Sequence, residues 1–440
     1  MCNWGRSFFL HMEVEVNLNI IEIANKIKEC GGKLYLVGGA VRDELLRKEA
    51  QDKDYCVVGL NSEQFKQLFP QANIRGKTFE VFDLEGSEFA MARTETKIGK
   101  GHTEFKIETN PQITIEQDLA RRDITINSIA QEVLTGKIID PFNGINDIKN
   151  KIIRATTEAF KEDPLRVYRV ARFAAQLNFK VEKATLEQMY ELKNELNTLS
   201  KERVFEELKK ALNTRTPSIF FNVLKEAKVL EIHFKEINAL IGVEQPIQYH
   251  PEGDAYNHTM CVLDMAANLT EKYEFNRKLE IRFSALVHDL GKGTTPKAMY
   301  PHHYGHEERG VELVRKFSKR IGLPNAWNRC GKTACIEHMR GGIFYKMKPA
   351  KKVEFIERVD KSLLGLDGLQ IIVISDKTSG GRKKNTENID FEKIGKECLK
   401  EINGEYIKNR YKIENGIQFR NKLHEERVKW MKDIEKNKQL

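Results

Sequence analysis

Lys33-Leu-Tyr-Leu-Val-Gly-Gly-Ala-Val-Arg-Asp43, followed by Asp52-Lys-Asp54, is the stretch from which the fold of the first third of the chain is read. Leu34 to Val37 has the character of a short buried strand, Gly38-Gly39 of a tight turn, and Val41 to Leu46 of a helix. Two residues without a Cβ at this handover let backbone N–H groups approach phosphate oxygens, and Arg42 adds a fixed charge. Such a turn is also an ordinary structural connection. Asp54 to Val58 reads as the next strand, and period-two geometry turns Asp52 and Asp54 to one face, where two Mg²⁺ ions about 4 Å apart could be held. Taken alone, Asp-x-Asp is a solvated strand entry. Thirteen residues after Gly39, it joins a phosphate cradle to a metal site, the combination that phosphoryl transfer from a nucleoside triphosphate requires. Glu88 is the expected third acid, with Asp83 as its competitor.

Outward from this stretch, Ile20, Ile21, Ile23, Ala24 and Ile27 fall at helical spacing ahead of Gly31-Gly32, so the first 150 residues read as α/β. From about Glu162 to Leu240 the period is 3.6, as in Leu165 to Leu177, Thr185 to Leu196 and Val204 to Leu212. Eight of the eleven histidines then lie between His233 and His338, which marks a second functional region. After Ser375 the chain is rich in Lys and Asn and poor in apolar clusters until an amphipathic helix near Leu423 to Ile434. Length supports about three domains, since 440 residues exceed one ordinary core. With 40% hydrophobic residues the chain is neither disordered nor collagen-like, and no apolar run reaches the roughly 18 residues of a bilayer span. The net charge of +9 permits a nucleic acid partner without requiring one. Seven scattered cysteines form no Cys-x-x-Cys pair, which excludes a zinc ribbon and fits reduced thiols in a cytoplasm. Residues 1–11 make a poor signal peptide, and Met12 is the expected natural start.

Four stretches in order give the chain a specific resemblance: Val37 to Asp43 with Asp52-Lys-Asp54; Asp118-Leu-Ala-Arg-Arg-Asp-Ile-Thr-Ile-Asn-Ser128; Asp140-Pro-Phe-Asn-Gly-Ile-Asn-Asp147; and Glu162-Asp-Pro-Leu-Arg-Val-Tyr-Arg-Val-Ala-Arg-Phe173. They resemble the nucleotidyltransferase superfamily, and within it the bacterial class II CCA-adding enzymes of the multifunctional type. The resemblance implies a multidomain protein: an α/β nucleotidyltransferase head with a polymerase-β-like palm over 12–150, then all-α parts. These are a neck with a base reader (151–214), a body segment (215–250), an HD metal-phosphohydrolase domain (251–376) and a basic helical tail (377–440). It implies template-independent addition of C, C and A to tRNA 3′ ends from CTP and ATP, with release of pyrophosphate. Asp52 and Asp54 would be catalytic and hold Mg²⁺, while Gly39, Arg42 and Arg122 would hold the nucleotide. Asp140, Gly144 and Asp147 resemble the hinge region, and Arg93 to His102 a flexible loop that changes specificity from C to A. On residues alone, that loop is simply exposed and polar.

Asp163-Pro164 also fits a plain helix start, and Arg166, Arg169 and Arg172 at three-residue spacing suit a shared polar stripe. The resemblance makes Asp163 and Arg166 the reader of the base, with Arg169 and Arg172 beside them. Cytosine and adenine both place an amine donor next to a ring-nitrogen acceptor, so a carboxylate and a guanidinium can select them together, by about 1 to 3 kcal/mol. The order His258, His288-Asp289, Asp376 is that of HD metal phosphohydrolases, and His306 and His338 extend it toward a second ion. A lone histidine on an apolar face is more often an ordinary core residue, but several in one domain favour a metal, with Mg²⁺, Mn²⁺ and Ni²⁺ left open. Multifunctional relatives use this domain as a phosphatase, 2′,3′-cyclic phosphodiesterase and 2′-nucleotidase. A poly(A) polymerase, an enzyme adding only CC or only A, and a nucleotide-sensing RNA-binding protein with only the hydrolase active are the alternatives. The expected partner is the tRNA acceptor arm, with no membrane; monomer and homodimer stay open.

Overall fold

The structure, a computed structural model, describes residues 19–49, 53–75, 80–97, 105–248, 250–380 and 390–437. Met12, Asp52 and residues 98–102 of the expected specificity loop lie outside the described residues. The chain divides into two compact units, Met1–Glu162 and Asp163–Leu440.

In the first unit, α1 (Ile20–Glu29) begins at a capping box in which Asn19 and Glu22 satisfy each other's backbone N–H. It leads into β1 (Lys33–Val37), α2 (Gly39–Leu45), β2 (Asp54–Val58) and α3 (Ser62–Leu68). Three strands follow, β3 (Asn73–Arg75), β4 (Val81–Leu84) and β5 (Ser87–Met91). Then come β6 (Arg93–Lys97), β7 (Phe105–Thr109), α4 (Ile115–Ala120), β8 (Ala130–Glu132), β9 (Ile138–Ile139) and α5 (Gly144–Asn150). Seven strands form one mixed sheet in the order β3-β4-β5-β2-β1-β8-β9, with β2 and β5 parallel. Tyr35, Val37 and Cys56 on one face pack with Ile115 and Leu119 of α4. On the other side Phe65 of α3 lies 4.8 Å from the Phe82 ring and 5.7 Å from that of Phe89. Residues 151–162 stay with this unit: Thr125 and Thr156 exchange backbone bonds with Arg154 and Asp123.

Arg93 to Lys97 is not loop. It pairs antiparallel with Phe105 to Thr109, from Arg93 opposite Thr109 to Lys97 opposite Phe105. Thr94 and Thr96 favour an extended backbone, and the polar composition concealed it.

The second unit is helical: α6 (Arg166–Leu177), α7 (Lys183–Glu191), α8 (Lys201–Leu212), α9 (Ser218–Glu226), α10 (Leu230–Asn238) and α11 (Ala255–Leu269). The order continues through α12 (Phe275–Val287), α13 (His306–Ile321), α14 (Asn325–Gly342), α15 (Pro349–Asp360) and α16 (Gly365–Thr378). Last come α17 (Phe391–Glu401), α18 (Gly404–Arg410) and α19 (Gly416–Asn437). The tail is more than a charged appendage. Phe391 and Ile394 of α17 and Met431 of α19 are buried in the same core as Val262, Ile281, Ala334, Ile356 and Ile372, with Leu399, Val428 and Trp430 packed against it. Lysines on the outer faces dilute the composition while the inner faces stay apolar.

Candidate functional sites

In the first unit, the sheet register places Val37 opposite Asp54, Asp54 opposite Glu88 and Glu88 opposite Asp83. Residues in one register row leave the same face, so Asp54 and Glu88 stand side by side there, both exposed. Asp83 is paired with Arg75, which leaves Glu88 as the acid beside Asp54. Next to this row the chain turns at Gly38, whose φ of +70° with ψ −129° is costly for any residue with a Cβ. A Cβ there would also come 3.0 Å from Nη1 of Arg122. Gly39 opens α2 behind it.

The stretch from Asp118 to Asn127 organises the basic groups around this turn. Asp118, 1% exposed, accepts from Arg121 at 2.6 Å, from Arg122 at 3.0 Å and from the backbone N–H of Arg93 at 3.3 Å. Burial alone would raise the Asp118 carboxyl, but the two guanidiniums outweigh it and hold it below the ordinary carboxylate range. Asp123 accepts from the Asn127 amide at 3.2 Å, and Asn127 accepts from Arg42 at 2.6 Å, while Asp43 takes Arg42 Nε at 2.9 Å. Arg42 is thus 4% exposed and fixed in direction. Arg121 and Arg122 thus form salt bridges along α4 whose shared carboxylate is buried.

Asp140, Gly144 and Asp147 have structural roles. Asp140 accepts from the N–H groups of Gly144 and Ile145 at 2.7 and 2.9 Å, and a Cβ on Gly144 would meet the Thr125 carbonyl at 2.3 Å. Asp147 takes the Thr125 hydroxyl at 2.6 Å and Arg154 Nε at 3.1 Å.

In the second unit, Asp163 accepts from the N–H of Leu165 at 3.0 Å and from Arg203 of α8 at 2.8 Å. Arg203 was not legible as a partner, because it lies forty residues on with no local signal. The arginine repeat does not form one solvent-facing stripe. Arg166 and Arg172 are 8% and 7% exposed, and only Arg169 is half-buried. At 3.6 residues per turn each three-residue step drifts by about 60°, so the first and third members lie on different sides of α6. Arg172 bonds to Glu207 at 2.6 Å and to Gln176 at 2.9 Å, and its guanidinium lies 3.8 Å from the Phe173 ring centroid.

The histidine cluster draws on five helices or their ends. His258 comes from α11, His288 and Asp289 from the end of α12, His306 from the first residue of α13, His338 from α14 and Asp376 from α16. Gly291 makes this approach possible, since a Cβ there would come 1.8 Å from the His306 carbonyl oxygen. Asp289 sits at the centre. His288 and His258 Nε2 lie 3.3 and 3.7 Å from its Oδ2, and His306 and His338 Nε2 each 3.4 Å from its Oδ1. His258 Nε2 is 3.1 Å from Asp376, and Lys292 reaches Asp289 Oδ2 at 2.6 Å. Burial works to raise the Asp289 carboxyl, yet Lys292 and His288 hold it well below the carboxylate range. Burial lowers His288. In His258 burial is outweighed by Asp376 and Glu252, and the ring is raised.

Among the described residues, His288 Nε2, His306 Nε2 and Asp289 Oδ1 are buried and find no hydrogen-bond partner. Buried polar atoms are ordinarily satisfied, so this cluster is a group of residues that could hold a metal ion. Glu252, which sequence reasoning missed, stands 2.6 Å from His258 Nδ1 and 3.2 Å from His250 Nδ1.

Residues 34–154 match the poly A polymerase head domain, residues 178–241 a probable RNA and SrmB-binding site of polymerase A, and residues 255–362 the HD domain. A multifunctional CCA protein of Mannheimia succiniciproducens is 46% identical over 333 residues, 74% of this chain and 78% of its own. One from Haemophilus influenzae is 42% identical over 370 residues, 82% and 88%. The Thermotoga maritima CCA-adding enzyme complexed with tRNA has a similar fold, with a TM-score of 0.64 at 19% identity, covering 93% of this chain and 89% of that one. A CCA-adding enzyme in complex with CTP gives 0.63 at 21% with the same coverage.

Proposed function

The chain belongs to the multifunctional CCA protein family, and from that premise we propose that it adds C, C and A to the 3′ end of tRNA from CTP and ATP, releasing pyrophosphate, and hydrolyses phosphate esters at its histidine cluster. The observation that carries the first activity is the row of Asp54 and Glu88 beside the Gly38 turn, with Arg42 and Arg122 held in fixed directions. Carboxylate oxygens are the donors Mg²⁺ prefers, and Asp52, Asp54 and Glu88 would hold it. When bound, Mg²⁺ activates the primer hydroxyl and offsets charge on the leaving phosphates. Arg42 and Arg122, with the N–H groups of Gly38 and Gly39, would grip the triphosphate. Asp163 and Arg166 would read the base, Arg203 fixing the Asp163 carboxylate, and Arg169 would help hold the nucleotide. Arg172 would serve by tying α6 to α8 through Glu207.

His258, His288, Asp289, His306, His338 and Asp376 would hold one or two divalent ions, and an imidazole-rich set favours Ni²⁺ over Mg²⁺ or Mn²⁺. Such an ion, when bound, polarises a phosphoryl group and activates water. Phosphate monoesters and 2′,3′-cyclic phosphates are the expected substrates. No helix among the described residues is long and apolar enough to cross a membrane, and free cysteines agree with a reducing cytoplasm.

The decisive assay offers purified protein a tRNA lacking its 3′ end, Mg²⁺ and each triphosphate. Growth by C, C, A and then arrest is expected. A long A tail would indicate a poly(A) polymerase, one kind of nucleotide a partial enzyme, and no growth beside intact hydrolysis a nucleotide sensor. Asp163→Ala is expected to lose selection against UTP and GTP; slower but selective addition would reduce Asp163 to a structural turn residue.

A further inference from the structure

The four histidines of the cluster are not held alike. His288 Nδ1 faces the Ala285 carbonyl at 2.7 Å, His306 Nδ1 that of His303 at 2.8 Å, and His338 Nδ1 that of Ala334 at 2.9 Å. Each is anchored by a carbonyl from its own helix or the turn before it. His258 Nδ1 instead meets a carboxylate, Glu252 Oε1, at 2.6 Å, and the Glu252 side chain is 5% exposed. We propose that Glu252 is a positioning residue for the metal site: it fixes the His258 ring with Nε2 turned toward Asp289 and Asp376, and its charge makes that nitrogen a stronger donor. The proposal rests on the metal-hydrolase reading of the cluster.

Two features hold Glu252 in place. Asp254, two residues on, caps α11 through the N–H of Asn257 at 2.9 Å and takes the N–H of Gly242 at 2.6 Å, which pins the segment before the helix. Gly380 also lies close by, since a Cβ there would come 2.7 Å from Glu252 Oε2. Gly380 lies just beyond α16, the helix that carries Asp376. Glu252 therefore lies near both segments that deliver His258 and Asp376, the two groups that meet at 3.1 Å. A carboxylate on the far nitrogen of a ligating imidazole sets its tautomer and raises its basicity, and removing such a partner costs ~10 to 100-fold in metal affinity or activity.

The test uses the full-length protein, Glu252→Ala and Glu252→Gln, with Co²⁺ as probe, reading dissociation constant and stoichiometry by equilibrium dialysis and ligand geometry by visible absorption. Glutamine keeps the shape and an acceptor but not the charge. Expected are unchanged stoichiometry, affinity weakened about 100-fold in Glu252→Ala and about tenfold in Glu252→Gln, an altered Co²⁺ spectrum in Glu252→Ala, and nucleotide addition to tRNA at the wild-type rate in both. Wild-type affinity in both variants would overturn the role of Glu252 alone. Loss of an ion from the stoichiometry would overturn it too, making Glu252 itself a ligand with His250. A wild-type protein that takes up no Co²⁺ would remove the metal-hydrolase reading and this one with it.

Discussion

Replacing Asp118 by Asn tests the basic side of the proposed nucleotide site at its least exposed point. The substitution keeps the shape and one acceptor oxygen but removes the charge that Arg121 and Arg122 share at 2.6 and 3.0 Å. Taking one partner from a buried pair costs ~3 to 5 kcal/mol. Here the guanidiniums retain 16% and 20% exposure, so water takes up part of the loss and the lower end, about 3 kcal/mol, applies. For a unit of this size that lowers the head's melting temperature by ~6 to 12 °C. Arg122, released from its clamp beside Gly38, would lose its aim at the nucleotide, and kcat/KM for CTP should fall on the order of tenfold or more. Thermal unfolding and single-nucleotide extension of tRNA with labelled CTP read the two effects, with phosphohydrolase activity as an internal control expected to stay unchanged. Wild-type melting together with wild-type CTP addition would refute the clamp.

Gly291→Ala forces a Cβ to within 1.8 Å of the His306 carbonyl, so α13 must retreat; metal-dependent hydrolysis is expected to fall at least tenfold while tRNA extension is kept, as parallel assays would show. His233 is lowered from 6.5 to about 4 by burial, with Arg320 adding to the effect, and its Nδ1 lies 2.6 Å from the Tyr168 hydroxyl. The unfolded chain therefore takes up the proton first: stability is full above pH 6.5 and declines by at most about 3 kcal/mol as pH falls toward 4, a slope that His233→Gln should flatten in denaturant titrations at several pH values. Phe391→Ala, at a fully buried position in the second unit's core, should cost ~3 to 5 kcal/mol and lower that unit's melting transition in calorimetry.

Local signals made much of the head legible. A β-rich run ending in two glycines, an Asp-x-Asp and a helix period are short-range features, and strand β1, the Gly38 turn, helix α2 and strand β2 follow them closely. What escaped depends on distance. The hold of Asp118 on the Arg93 backbone spans twenty-five residues, and that of Arg203 on Asp163 forty, with no periodicity to announce either. The arginine stripe failed because a three-residue step taken twice drifts around the helix and parts Arg166 from Arg172. In the histidine cluster the residues that come together were legible from their order, whereas Glu252 was hidden in a turn. An acid between His250 and His258 was the available signal. The tail misled because composition averages over faces, although Phe391 and Ile394 already stand three apart, as one helical face requires.

Met431 of α19 shares a core with Val262 of α11. Synthesis proceeds from the N-terminus, so the first unit can close while the ribosome is still translating the second. That core is completed only by a helix made some 170 residues after α11. During that interval the face of α15 that receives α19 stays uncovered, an opening for chaperones or for aggregation. Slowing translation near the 3′ end of the message should therefore harm the yield of hydrolase far more than that of the transferase.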